Sequence, residues 1–154
     1  MEIKVSINGD KAIAQALGDP ALVAGPLKTL LGSAAAVVER KAAELAPVDT
    51  GRLRSSITQE IAPLRARVYT NVFYAPFVEY GTRPHFPPPG ALATWGRRHG
   101  GIPAFALARA IAKRGTKAQP YMRPGAQELE RRLPELLANL ARDIEDNWRQ
   151  KHGS

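Results

Sequence analysis

Two long stretches of the chain place apolar side chains at steps of three and four residues, the spacing of one face of an α-helix. The first contains Leu27, Leu30, Leu31, Ala34, Val38, Ala42 and Leu45, and the second contains Leu129, Leu133, Leu136, Leu137, Leu140, Ile144 and Trp148. The first stretch predicts a helix from about Ala21 or Pro26 to Leu45. The second predicts a helix from about Gly125 onward, with a kink or restart at Pro134, because proline lacks the N–H that a helix interior needs.

Shorter segments alternate apolar and polar residues, which is the period of a β-strand. We expect a first strand near residues 2–7, and a hairpin of strands formed by residues 57–62 and 65–71. Arg65 and Arg67 would then share one face of the second hairpin strand. Helices and strands together predict an α+β fold, in which a small antiparallel β-sheet packs against the long helix of the N-terminal half and the C-terminal helix.

The chain has 154 residues, of which 44% are hydrophobic, and this length suits one domain with a single core. We therefore predict one domain over residues 1–154. Within it, prolines and glycines gather at about 82–102 and predict an irregular excursion. Short helices are expected at residues 11–17, 91–98 and 103–114.

Three short segments stand out because proline, glycine and aspartate control their chain direction. They read A-P-V-D-T-G-R-L-R-S-S-I at 46–57, Y-A-P-F-V-E-Y-G-T-R at 74–83, and Q-P-Y-M-R-P at 119–124. None has the spacing of a metal site, a nucleophile elbow or a phosphate loop. Their order and spacing resemble the HK97-type tail-completion (minor tail) proteins of long-tailed bacteriophages. In that family D-T-G-x-L-R-x-S-I is followed by Y-A-x-x-V-E-x-G-T and later by a P-F-x-R-P-like segment, and the resemblance spans roughly residues 27–150.

This resemblance implies a structural part of a phage virion, a tail-completion or neck protein that joins the tail tube to the head connector without catalysis. It also implies a ring of six subunits that contacts adjoining neck and tail proteins, in a virion assembled in the host cytoplasm. The motif residues to which we assign structural roles are Asp49, Gly51, Arg52, Leu53, Tyr74, Glu79, Tyr80, Gly81, Pro120, Tyr121, Arg123 and Pro124.

Local chemistry predicts what two of these motifs do. Asp49 is expected to bond the backbone ahead of it and to cap the next helix, while Gly51 takes backbone angles that a side chain would forbid. Tyr74, Phe77 and Tyr80 lie three residues apart, which suits a helical turn that presses the aromatic rings inward.

Glu79 is an acidic residue within an otherwise apolar turn. One interpretation is a catalytic carboxylate, but no second carboxylate lies close to it in the sequence. The interpretation we favour is an ion pair with Arg52 or Arg54, because a buried carboxylate without a partner costs several kcal/mol.

The net charge of +8 is concentrated in the middle of the chain. Residues 52–123 carry twelve Lys or Arg against Glu60 and Glu79, whereas both ends are nearly balanced. Such asymmetry indicates nucleic acid or an acidic protein surface as a partner, although it also suits a solvated face. The residues expected to make partner or DNA contacts are Arg65, Arg67, Arg97, Arg98, Arg109, Lys113, Arg114 and Lys117. The alternative function is therefore a basic nucleic-acid-binding or DNA-packaging accessory protein.

Several classes of site are excluded or disfavoured by composition. The chain has no cysteine, which removes disulfides and thiolate chemistry. Its three histidines, His85, His99 and His152, lack a metal-ligand spacing, so we expect no metal and no cofactor. The alternating N-terminal residues do not read as a signal peptide, and no apolar run is expected to be long enough to cross a membrane.

Overall fold

Three short strands form one antiparallel sheet in the order β1–β3–β2 in the computed structural model, which describes residues 1–9, 11, 15 and 18–153. The strands are β1 (Glu2–Ser6), β2 (Thr58–Ala62) and β3 (Arg65–Tyr69). The register sets Ile3 opposite Val68 and Val5 opposite Ala66, which gives the sheet one apolar face. The predicted first strand and hairpin are confirmed.

Six helices are present in the described residues. They are α1 (Ala21–Leu45), α2 (Arg52–Ser55), α3 (Ala75–Tyr80), α4 (Pro89–Arg98), α5 (Ala104–Arg114) and α6 (Met122–His152). The short helix expected at residues 11–17 falls mostly outside the described residues. The α+β fold predicted from the sequence is confirmed, since α1 and α6 pack together and against the sheet.

Helix α1 begins at Ala21, whose N–H donates to the Asp19 carboxylate at 2.8 Å, so the later start at Pro26 is wrong. Pro26 lies buried inside the helix and cannot donate to the carbonyl of Leu22 four residues before it. The side-chain amide of Asn147 donates to that carbonyl instead, at 3.2 Å. The C-terminal helix thereby satisfies the backbone group that the proline leaves free.

Helices α1 and α6 run antiparallel along most of their length. Near the start of α6, Gly125 lies so close to Val38 that a Cβ would stand 2.9 Å from the Val38 carbonyl oxygen. At the opposite end, Lys151 forms an ion pair with Asp19. This bond to Lys151 and the bond from the Ala21 N–H lower the pKa of the Asp19 carboxyl group.

Helix α6 continues through Pro134, so the predicted restart there is wrong. Pro134 removes the donor for the carbonyl of Glu130, but both residues are exposed. Water can therefore bond that carbonyl, and the helix need not break.

Helix α1 has an 18-residue window with a mean hydropathy of 1.6, so it is apolar and long enough to cross a membrane. The expectation that no run reaches this length is wrong, since alanine and glycine keep the stretch nearly free of charge. The structure uses this helix as the core. Its buried residues include Leu31, Val38 and Ala42, and they form one cluster with Val68 of the sheet and Leu129 of α6.

Candidate interaction surface

Glu79 joins the second sequence motif to the third. Its side chain is fully buried, and its two carboxylate oxygens accept three backbone N–H groups at the start of α6. The donors are Tyr121 at 2.7 Å, Met122 at 2.9 Å and Arg123 at 3.0 Å. The next residue, Pro124, has no N–H to satisfy. A single carboxylate therefore bonds the free backbone donors of residues 121–123, where the helix dipole also favours negative charge.

The predicted ion pair of Glu79 with Arg52 or Arg54 is wrong. In the described part of the chain no basic side chain lies within 4.0 Å of this carboxylate. Arg54 instead reaches the carbonyl of Ala46 at 3.5 Å. A buried carboxylate needs hydrogen-bond donors, and backbone amides at a helix start meet that need as a cation would.

Tyr121 lies fully buried beside Glu79. Its hydroxyl group makes no hydrogen bond within the described residues. Burial, with a smaller contribution from the charge of Glu79, raises the pKa of Tyr121 to about 12. The ring therefore serves as apolar packing, and its polar end is a cost to stability.

The first motif forms a tight turn that does not use Asp49 as predicted. Gly51 has a positive φ of 80°, which confirms the expectation for this glycine. The Arg52 N–H donates to the hydroxyl of Thr50 at 3.4 Å, while the Asp49 carboxylate pairs with Arg98 at 3.0 Å. The predicted cap by Asp49 is wrong, because a guanidinium from a distant helix occupies the carboxylate.

The helical turn α3 confirms the predicted helix but reverses its predicted faces. Ala75 and Glu79, four residues apart, point inward and are fully buried. Phe77 and Tyr80 are 55% and 66% exposed. The prediction that the aromatic rings press inward is therefore wrong for Phe77 and Tyr80, since the inward face is the one that brings Glu79 to α6.

Residues 81–118, here called the arm, leave and rejoin the body at one narrow base. There Thr82 and Thr116 exchange backbone hydrogen bonds of 3.2 and 3.3 Å. Gly81 and Gly115 flank this bridge with φ of 69° each, and a Cβ on either would collide with a carbonyl oxygen of the opposite pass. Both glycines are required by close approach as well as by backbone angle. Of these two glycines, Gly81 is among the motif residues assigned from the sequence.

The arm is a pair of short helices, α4 and α5, that pack mainly on each other. Gly96 of α4 lies against the carbonyl of Ile102, and its N-terminal neighbour Trp95 stacks on His99 at 4.1 Å. Beyond the base, the described contact that ties the arm to the body by charge is the Arg98–Asp49 pair, whose side chains are 48% and 33% exposed. An exposed pair of this kind contributes about 1 kcal/mol or less.

All seven basic residues of the arm are exposed, and the arm contains no acidic residue. They are Arg83, Arg97, Arg98, Arg109, Lys113, Arg114 and Lys117. Phe105, Arg109 and Lys113 stand four residues apart along α5 and so share one exposed face. Six of the eight predicted contact residues therefore lie on the arm, namely Arg97, Arg98, Arg109, Lys113, Arg114 and Lys117. Of these six, Arg98 is paired with Asp49.

The basic residues predicted to make contacts from the sheet are Arg65 and Arg67, and Arg67, unlike most basic residues of the arm, has acidic partners. Arg67 donates to Glu60 at 2.6 and 3.0 Å, lies 3.9 Å from Glu2 and covers the ring of Tyr69. The hydrogen bond that Arg67 donates to Glu60 raises the pKa of the Arg67 guanidinium. Its charge is therefore largely matched within the sheet, whereas Arg65 is exposed at the strand start.

All four phenylalanines of the chain are more than half exposed, a feature that sequence reasoning missed. Phe73, Phe77, Phe86 and Phe105 have exposed fractions of 78%, 55%, 54% and 59%. Phe86 and Phe105 meet edge to face on the arm, with ring centroids 6.0 Å apart. Exposed apolar groups that lie together, as Phe86 and Phe105 do, indicate an interaction site. The available signal was that these residues lie outside both helical stripes.

No catalytic arrangement is visible in the described residues. No group of three or more His, Asp or Glu side chains there is placed to hold a metal ion. A groove of about 480 Å³ lies between the start of α1 and the β2–β3 hairpin, lined by Pro20, Val23, Ala24, Leu27, Lys28, Ile61, Ala62, Pro63 and Leu64. This lining offers no acid and base pair.

Residues 13–81 match the family model HK97-gp10_like, described as "Bacteriophage HK97-gp10, putative tail-component". The resemblance inferred from the sequence motifs is confirmed for a tail-component family over residues 13–81. No curated protein and no solved structure matches the chain significantly. The match shows that this segment is similar to a bacteriophage tail component.

The HK97-gp10-like segment contains the first motif and most of the second, and it ends at Gly81, where the arm begins. Within these motifs, the fixed letters of the family pattern are mostly residues that the structure buries or bonds. Leu53, Ile57, Ala75 and Glu79 are buried. Four of the five x positions, Arg52, Ser55, Phe77 and Tyr80, are exposed. Arg52 and Tyr80 are thus surface residues, and a structural role for their side chains is not supported by a contact in the described chain.

The third motif lies outside the matched segment but is held by it. Pro120 and Arg123 are exposed, while Tyr121 is buried and Pro124 stands in the first turn of α6. Through its three N–H bonds, Glu79 fixes this turn to the matched segment. The third motif is therefore the helix start that the second motif caps.

Proposed function

We propose that this protein is a tail-completion or neck protein of a tailed bacteriophage, which joins the tail tube to the head connector without catalysis. The single observation that carries the proposal is the HK97-gp10-like match over residues 13–81. Glu79 bonds the start of α6, and the arm carries the exposed rings of Phe86 and Phe105. Such exposed rings suit a part that works by contact with its neighbours.

The protein would act as a ring, with six subunits by family resemblance, in the neck of the virion after assembly in the host cytoplasm. Its partners would be copies of itself and the adjoining neck and tail proteins. Passing DNA would touch it at most without sequence preference, through phosphates.

The test is to look for the protein in purified particles and to remove it. Quantitative mass spectrometry should find about six copies per virion, as the family resemblance implies. A strain lacking the protein should accumulate filled heads and unjoined tails, and the protein supplied in trans should restore joining. Absence from the particle, or normal particles without it, would refute the proposal.

The second candidate function, a basic accessory protein for DNA packaging, is favoured by the arm with seven basic residues and no acidic ones. It predicts binding of the isolated protein to duplex DNA of any sequence, with an affinity that falls steeply as salt rises. A salt series with one random duplex separates the two functions, because a structural part must not hold passing DNA tightly.

A further inference from the structure

The arm combines two features that are each unusual on a free surface. One is its charge, since seven exposed basic residues stand there without any acidic residue. The other is its apolar pair, Phe86 and Phe105, whose rings meet on the outside and are both more than half exposed. Protein interfaces have this composition, with aromatic side chains at the centre and arginine enriched around them.

A second copy of the chain offers little to match this charge. Residues outside the arm carry a net charge of only +1. Most of the acidic side chains there are already bonded within the chain, as Glu60 is to Arg67, Glu128 to Arg131 and Arg132, and Glu145 to Arg149. An arm of one copy would therefore meet a surface with no excess of negative charge.

Duplex DNA matches the charge but not the phenylalanines. Phosphate contacts are made by basic and polar groups, and the bases of a duplex are stacked and paired. Two exposed rings next to Arg109 would then stay in water or against phosphate, and neither would stabilise the complex. A protein surface accommodates both features.

We infer that the arm docks on a different protein, whose surface has an apolar depression for Phe86 and Phe105 and an acidic rim facing Arg109 and Lys113. Phe105, Arg109 and Lys113 lie on one face of α5, so a single flat surface can meet all three. The acidic rim would steer the encounter, and burial of the two rings would hold the complex. The inference rests on the proposed function only for where to look, namely among the neck and tail proteins of the same particle.

The test uses the full chain and each purified neck and tail protein of that particle, with binding measured by calorimetry across a salt series. Two arm variants are compared: Arg109→Glu with Lys113→Glu, and Phe86→Ala with Phe105→Ala. The control is Lys28→Glu with Arg40→Glu, which changes two exposed basic residues of α1 and gives the same net charge as the first variant. Circular dichroism checks that all variants stay folded.

We expect one partner to bind the wild type, and each arm variant to lose at least about tenfold in affinity while the control does not. The affinity of the charge variant should no longer fall as salt rises, because glutamates then face the acidic rim. Lysines placed in that rim should restore its binding. The inference is overturned if the arm variants bind every protein as the wild type does. It is also overturned if the arm residues affect only binding to a random duplex or to a second copy.

The two proposals fail separately. If the protein is absent from particles but binds an acidic protein through the arm, the proposed function is wrong and the arm inference stands. If it is present and particles assemble normally with both arm variants, the arm inference is wrong and the proposed function stands.

Discussion

The carboxylate of Glu79 accepts the N–H of Tyr121 at 2.7 Å, across 42 residues of sequence. This bond and its two neighbours fix where the longest helix begins. Because that helix packs along α1, the position of one side chain in a six-residue turn sets the geometry of the core. The arm lies between the two residues in the sequence, so its insertion leaves the bond and the core intact.

Replacing Glu79 by alanine should cost about 3 kcal/mol or more in the free energy of unfolding, because it leaves buried N–H groups of α6 without an acceptor. Glu79→Gln keeps one acceptor oxygen but loses the charge, so it should cost less, about 1–2 kcal/mol. Urea unfolding measures both. Glu130→Gln, an exposed change in the same helix, is the control and should be neutral. An alanine variant as stable as the wild type would contradict the role given to Glu79.

Tyr121 should make the protein sensitive to alkaline pH. Its pKa is about 12 when folded and 10.0 in its ordinary state, so the unfolded chain loses this proton first. Stability is therefore complete below pH 10 and falls as pH rises toward 12, by about 2 kcal/mol from this group. Tyr121→Phe should remove that part of the fall and be at least as stable at pH 7, since the hydroxyl group has no partner. If the stability of Tyr121→Phe fell between pH 10 and 12 as steeply as that of the wild type, the prediction would be wrong.

The base of the arm should not tolerate a side chain at Gly81. Alanine there would have to adopt the positive φ of 69° and would collide with the backbone at Thr116. We therefore expect Gly81→Ala to lower the free energy of unfolding by about 2 kcal/mol or more. Gly100 supplies the matched control, because it has a φ of 87° but open space around it. Gly100→Ala should cost only about 1 kcal/mol. Equal costs in thermal unfolding would show that the close approach at Thr116 is unimportant.

Asn147 and Pro26 should be coupled energetically. Asn147→Ala leaves the Leu22 carbonyl without a donor and should cost about 1 kcal/mol. In a Pro26→Ala background the helix supplies its own N–H to that carbonyl, so the same change should cost less. A double-mutant cycle in urea measures the difference, and strict additivity of the two changes would exclude the proposed coupling.

The Arg98–Asp49 pair should affect motion of the arm more than stability. Asp49→Asn should change the free energy of unfolding by less than about 1 kcal/mol, because the pair is exposed. It should raise hydrogen exchange in α4 relative to α6, since a contact between arm and body is lost. Uniform exchange in both helices would show that the pair does not restrain the arm.

The fold could be predicted because its elements have strong local signals. The stripes of α1 and α6 repeat over many turns, and the alternation of β3 is regular. Partners across the chain could not be predicted in this way. The need of Glu79 for a partner was evident from its apolar surroundings, but no local pattern distinguishes an arginine from a row of backbone amides. Asp49 lies where a residue could cap the next helix. Only the folded arm shows that its carboxylate pairs with Arg98 instead.

The faces of α3 show a different limit. Six residues make too few turns for aromatic spacing to define an inside, so tertiary contact through Ala75 and Glu79 decided it. The family pattern indicated part of this arrangement, because Phe77 and Tyr80 lie at its variable positions and both are exposed.

The four exposed phenylalanines also affect how the free protein behaves in solution. At low ionic strength the positively charged arms of two molecules repel each other. This repulsion keeps their exposed phenylalanine side chains from associating. Salt shortens the range of that repulsion without weakening the attraction between the rings. The free protein should therefore be most soluble at low ionic strength and should aggregate as salt is added.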